Sequence, residues 1–150
     1  MAAVFGRDPD EVYQDEKGRC DYWFEFERLA AFSVQGHATR ELVEWVIARQ
    51  QKVLQRNLLQ GRRMYLAWDL FDQSRHDPGT RRPLVSWYIK NSKHITRFVR
   101  LVSPAPLVRM AIVASDTFIG KSGFLFMEPD EFIEALTSTC DYLREKKASS

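Results

Sequence analysis

One short polar stretch, residues 69–80, gathers side chains suited to chemistry: Asp69, Asp72, Ser74, Arg75, His76, Asp77 and Thr80. Carboxylates close to a histidine suit a hard cation. The spacing lacks the regular alternation and closing Glu of a calcium loop, and Asp is common in loops for turn reasons alone. Ser74, His76 and Asp77 are also the residue types of a nucleophilic triad. Triads are assembled from separated segments, so three such types in one loop support acyl transfer only weakly. No Gly-x-Ser-x-Gly elbow occurs.

Gly120-Lys121-Ser122 has the ending of a phosphate loop. The full pattern needs a Gly five residues earlier, where Ser115 stands. It also needs a strand before the loop and a helix after it, so that helix amides face the phosphate. Here the expected helix comes first, and a helix-ending Gly followed by a turn is the better reading. Cys20 and Cys140 lie far apart without Cys-x-x-Cys spacing, as reduced cytosolic thiols would. Cys140 falls on an apolar helix face, where an inert buried thiol is expected. Arg62-Arg63 and Arg81-Arg82 are short basic pairs. Arg81 and Arg82 occupy a first helical turn, where the dipole disfavours cations. They mark either a solvated face or a surface that meets an acidic partner or phosphate. No metal or cofactor is expected from these patterns.

Composition narrows the classes. The 150 residues suit one domain with a real core, and 45% apolar residues argue against global disorder. With 22 basic and 20 acidic residues the net charge is +2, which argues against a nucleic-acid binder needing a concentrated basic face. The apolar runs are too short to span a bilayer. The first residues lack a basic segment followed by a long apolar core, so they do not read as a secretory signal. A cytoplasmic protein is the expectation.

The elements that must position these residues follow from periodicity. Residues 1–20 are polar and charged and read as a mobile lead-in, although Val12 and Tyr13 could dock on the domain. Residues 21–145 form the folded domain, and 146–150 a solvated tail. Strands are expected at 22–28, with Phe24 and Phe26 on one face, and at 29–36, as an antiparallel hairpin at a sheet edge. Thr39 suits an N-cap, and Glu41 suits the positive end of the helix dipole. Leu42, Val43, Val46, Ile47, Val53, Leu54 and Leu58 follow at helical spacing, and Gly61 is a natural stop.

Residues 64–70 read as a central strand and 71–80 as a loop. A helix then places Leu84, Trp87, Tyr88 and Asn91 on successive turns. After a strand at 98–102, Ser103 is expected to cap a helix over 104–119 with Pro104 first. Its inner stripe reads Leu107, Met110, Ala111, Ala114 and Phe118. A strand at 124–127 and a helix from Pro129 complete the chain, with Phe132, Ile133, Leu136, Cys140 and Leu143 facing inward. Trp23, Trp45, Trp68 and Trp87 fall on inner faces, as core packing would place them. Strand–helix–strand units imply a buried, largely parallel sheet. The fold class is therefore a single α/β domain with a mixed, mainly parallel sheet, covering helices and the order β-β-α-β-α-β-α-β-α.

Three segments carry a family resemblance: residues 32–41 (strand, Gly, Thr, helix), 66–70 (strand ending in Asp-Leu) and 124–136 (strand, short turn, last helix). Over about residues 22–143 the chain resembles the STAS domain of anti-sigma-factor antagonists and sulphate transporters, and its divergent bacterial STAS-like relatives. In the antagonists a Ser or Thr after the third strand is phosphorylated to control partner binding. This chain has Asp77-Pro-Gly-Thr80 in place of the usual Asp-Ser-Ser-Gly, with Ser74 as a lesser candidate. A phosphate at Thr80 would sit beside helix amides and Arg81.

The expected function is a non-enzymatic regulatory or scaffold domain of bacterial signalling. It would dock on a protein partner through Asp72, Ser74, Arg75, His76, Asp77, Thr80 and Arg81. The alternative is a small apolar-ligand, lipid-like binder walled by the helix from Leu107. Neither membrane insertion nor nucleic acid is expected, and homodimerisation through an exposed helix stays open.

Overall fold

The computed structural model describes residues 1–116, 120 and 123–149. Lys121, Ser122 and Phe118, singled out above, lie outside the described residues. In chain order the elements are α1 (Ala2–Phe5), β1 (Glu11–Gln14), β2 (Gly18–Glu25), β3 (Leu29–Ala38), α2 (Arg40–Leu59), β4 (Met64–Asp69) and β5 (Gln73–His76). There follow α3 (Arg81–Asn91), β6 (Ile95–Leu101), α4 (Pro106–Asp116), β7 (Gly123–Phe126) and α5 (Pro129–Ala148). The strands form one sheet in the order β1-β2-β3-β4-β6-β7, with β5 pairing β3. Pairs β1–β2 and β2–β3 are antiparallel, and the rest are parallel. The mixed, mainly parallel α/β class is what the chain forms. Leu66 lies opposite Phe98 and Ala67 opposite Val99 in the middle of the sheet.

Alternation along the strands sends side chains to two faces. Phe32, Leu66 and Phe98 pack under α2 and α3, while Ala31, Ala67 and Val99 pack under α5. Each fully buried Phe or Leu contributes roughly 1.5–3 kcal/mol relative to exposure. Thr39 caps α2 as expected, its hydroxyl accepting from the Leu42 N–H at 3.2 Å.

Several expectations need correction. Residues 1–20 are not simply a lead-in, because they hold α1, β1 and the start of β2. The Asp15 carboxylate accepts from the N–H groups of Lys17 and Gly18, each at 2.8 Å, and closes the turn between β1 and β2. Gly18 is required there: a Cβ would stand 2.2 Å from the His37 carbonyl oxygen. Tyr13 packs on Trp45 with ring centroids 5.8 Å apart. A four-residue edge strand buries so little of itself that its sequence looks like a polar tail. With β1 outside β2 and β4 beside β3, the β2–β3 hairpin is interior to the sheet.

The loop at 71–80 also contains a strand. Residues 29–33 of β3 pair with β4, and residues 36–38 pair β5, with Gly36 opposite Gln73 and Ala38 opposite His76. Backbone groups at the end of β3 need partners, and β5 supplies them from Gly36 to Ala38. Finally, α4 begins at Pro106, and its buried residues are Val108 and Ser115. Leu107 and Met110 are exposed, at 76% and 69%, and Ala114 also faces out. The helix is apolar nearly all round, so its period alone does not choose an inner face. In α5, Thr139 is buried and Ile133 faces out.

Candidate functional site

The residues selected from the 69–80 stretch fall into separate roles. Asp77 spends one oxygen on the end of β3 and the other on the start of α2. Oδ1 meets His37 Nε2 at 2.6 Å, and Oδ2 accepts from the Arg40 N–H at 3.0 Å. The Arg40 amide, followed by His37, holds this carboxyl below the usual carboxylate range. Asp77 is thus a second cap on α2, and its histidine is His37, not the adjacent His76. Thr80 is buried, and its hydroxyl donates to the Asp77 carbonyl at 2.8 Å. Asp72, Ser74 and Arg75 are exposed. Burial pushes the Asp69 carboxyl up, opposed by the Phe71 N–H that it accepts at 3.1 Å. Among the described residues no three His, Cys, Asp or Glu side chains converge as metal ligands would.

A different feature joins the rest. A cavity of about 110 Å³, partly open to solvent, lies between the sheet and helices α2, α3 and α4. Phe32, Trp68 and Phe98 form its floor, where inward alternation of β3, β4 and β6 puts them. Leu42 and Val46 of α2 wall one side, and Val108, Ala111 and Ile112 of α4 another. His76, Thr80 and Arg81 also border it; Asp72, Ser74, Arg75 and Asp77 do not. An engineered apolar void of ~150 Å³ accepts benzene; this cavity is smaller but partly open, which suits a small apolar group.

Arg100 of β6 lines the same cavity and is 1% exposed. Its place follows from alternation, since it shares a face with Phe98, and its guanidinium lies 4.9 Å over that ring. Nη2 donates to Asp116 Oδ1 at 2.5 Å, while Nε has no hydrogen-bond partner among the described residues. Burial pulls the guanidinium pKa down, against the opposing pull of Asp116 and Tyr88. An arginine so placed still keeps its proton. The sequence signal is a charge inside an otherwise apolar strand, Phe98-Val99-Arg100-Leu101-Val102.

Both cysteines are free and buried. Burial raises their thiol pKa values, that of Cys140 to about 11. Among the described residues no helix is long and apolar enough to cross a membrane.

No protein-family model matches the sequence, and no curated protein matches it. Among solved structures, the chain is similar to an uncharacterised protein of the DUF3478 family with a SpoIIAA-like fold from Shewanella loihica PV-4. The two share 15% identity with a TM-score of 0.48, over 84% of this chain and 90% of the other.

Proposed function

We propose that this protein is a non-enzymatic binding domain for a small, largely apolar ligand held between the sheet and α4. One observation carries the reading: the apolar cavity of about 110 Å³ beneath that helix. Protein interiors pack densely, and voids of this size are few. Concave apolar sites with a few polar groups are the usual form of a ligand site. Trp68 borders the cavity and reports on its occupancy. Native mass spectrometry of freshly isolated full-length chain is expected to show an adduct that denaturation removes. Titration with toluene is expected to change the tryptophan fluorescence saturably. Bare chain mass together with a flat fluorescence titration would count against the proposal.

A second reading, docking on a regulatory protein partner, draws on β5. Among the described residues that strand pairs only β3 and offers a partner the exposed side chains of Ser74 and Arg75, while its outward Gln73 and Arg75 carbonyls already accept from the Ser103 hydroxyl and the Gln73 side-chain amide. Thr80 suits a phosphorylation switch poorly in this arrangement, since its hydroxyl is buried and bonded.

A further inference from the structure

We infer that the ligand is a small carboxylic acid with an apolar body, its carboxylate received by Arg100. The inference rests on the cavity being a ligand site and deepens that reading. Sign of charge comes first. Among the described residues the cavity lining includes Arg100 and Arg81 and contains no Asp or Glu. A low-dielectric space with that lining favours an anion over a cation.

Position comes second. Arg100 is almost wholly buried, lines the cavity, and keeps Nε without a partner among the described residues. Burying a charged donor unsatisfied is costly, and an arginine edge matches a carboxylate through two parallel hydrogen bonds. Asp116 meets this guanidinium through Nη2 alone, and its side chain is 44% exposed. It can therefore turn into water at small cost and yield Nη2. An entering carboxylate would then take Nη2 from Asp116, and Nε as well once the guanidinium, whose Nε is sealed from solvent in the free protein, turns toward the cavity. Asp116 holds the guanidinium's place in the free protein and competes with the ligand. Size comes third: the volume suits a short aliphatic or single-ring body, and a phosphate would bring a second charge that one buried guanidinium does not balance.

The test is calorimetric titration of the full chain at pH 7 with hexanoate and with hexan-1-ol, which share a body and differ in the head group. Hexanoate is expected to bind tighter by about 10- to 100-fold, the worth of a charge-assisted hydrogen bond. Arg100→Met is expected to erase that preference while hexan-1-ol still binds. Arg100→Lys, which keeps charge but loses the Nε donor, serves if the Met variant does not fold, and is expected to shrink the preference. Asp116→Asn is expected to tighten hexanoate several-fold and leave hexan-1-ol unchanged, an effect a merely structural ion pair would not produce. Equal affinity for the two probes, or a preference left undiminished by substitution at position 100, overturns the Arg100 assignment and leaves the cavity reading standing. Failure of both probes to bind overturns both.

Discussion

Filling the cavity separates a ligand site from ordinary core. Ala111 lines it from α4 and is half-buried. Ala111→Leu adds three carbons, worth at most about 2.4 kcal/mol at ~0.8 kcal/mol for each buried methylene. Overpacking a filled core costs roughly 1–3 kcal/mol, and that penalty dominates only where there is no room. The volume here accommodates the added group. The free protein is therefore expected to gain about 1–2 kcal/mol, or ~2–8 °C in Tm for a chain of this length. Urea denaturation measures the gain as a higher midpoint at unchanged slope. In the same variant, binding of toluene and hexanoate is expected to fall below detection. A variant destabilised by more than about 1 kcal/mol that still binds both probes would refute the reasoning, since the added group would then meet packed core and the ligand would lie elsewhere.

Three further outcomes follow from the geometry. Thr80→Glu is expected to lower stability by about 2 kcal/mol or more, because it breaks the bond to the Asp77 carbonyl and buries a charge; a variant as stable as wild type in urea would return Thr80 to the role of a switch. Burial pushes the Asp15 carboxyl up, but hydrogen bonds from Lys17, Thr39, Gly18 and Tyr13 outweigh it and bring it to about 2. A depressed carboxylate stabilises above its unfolded value of 3.8 and loses that contribution as pH falls towards 2. Asp15→Asn should flatten the stability profile between those limits, and an unchanged acid limb in circular dichroism would contradict it. Cys140, with its thiol raised to about 11 by burial, should react with a disulfide reagent at pH 8 only as fast as the chain opens; labelling within seconds in the native state would show the site to be accessible.

How much could be read in advance varied with each element's surroundings. The α2 pattern was legible because Thr39, a long 3.6-residue period and Gly61 all agree, and the cap is where it was expected. The central strands were legible because both faces are buried and their runs are nearly continuous in apolar residues. β1 and β5 were not, since a four-residue edge strand needs only backbone pairing and carries few apolar side chains. The inner face of α4 was misassigned for the opposite reason: apolar residues surround it, and only its docking put Val108 inward and Leu107 outward.

The same division holds for the site. Sequence alone determined the class of fold, the alternation of the central strands and the N-terminal cap of α2, because these depend on local periodicity and on hydrogen-bonding side chains a few residues away. Tertiary structure decided that Asp77 serves α2 and that His76, Thr80 and Arg81 border a cavity. It also decided that Arg100, on a strand beyond α3, faces the same space. Those relations join segments separated by whole strands and helices, and no local spacing encodes which face of a helix meets which strand once several faces are apolar.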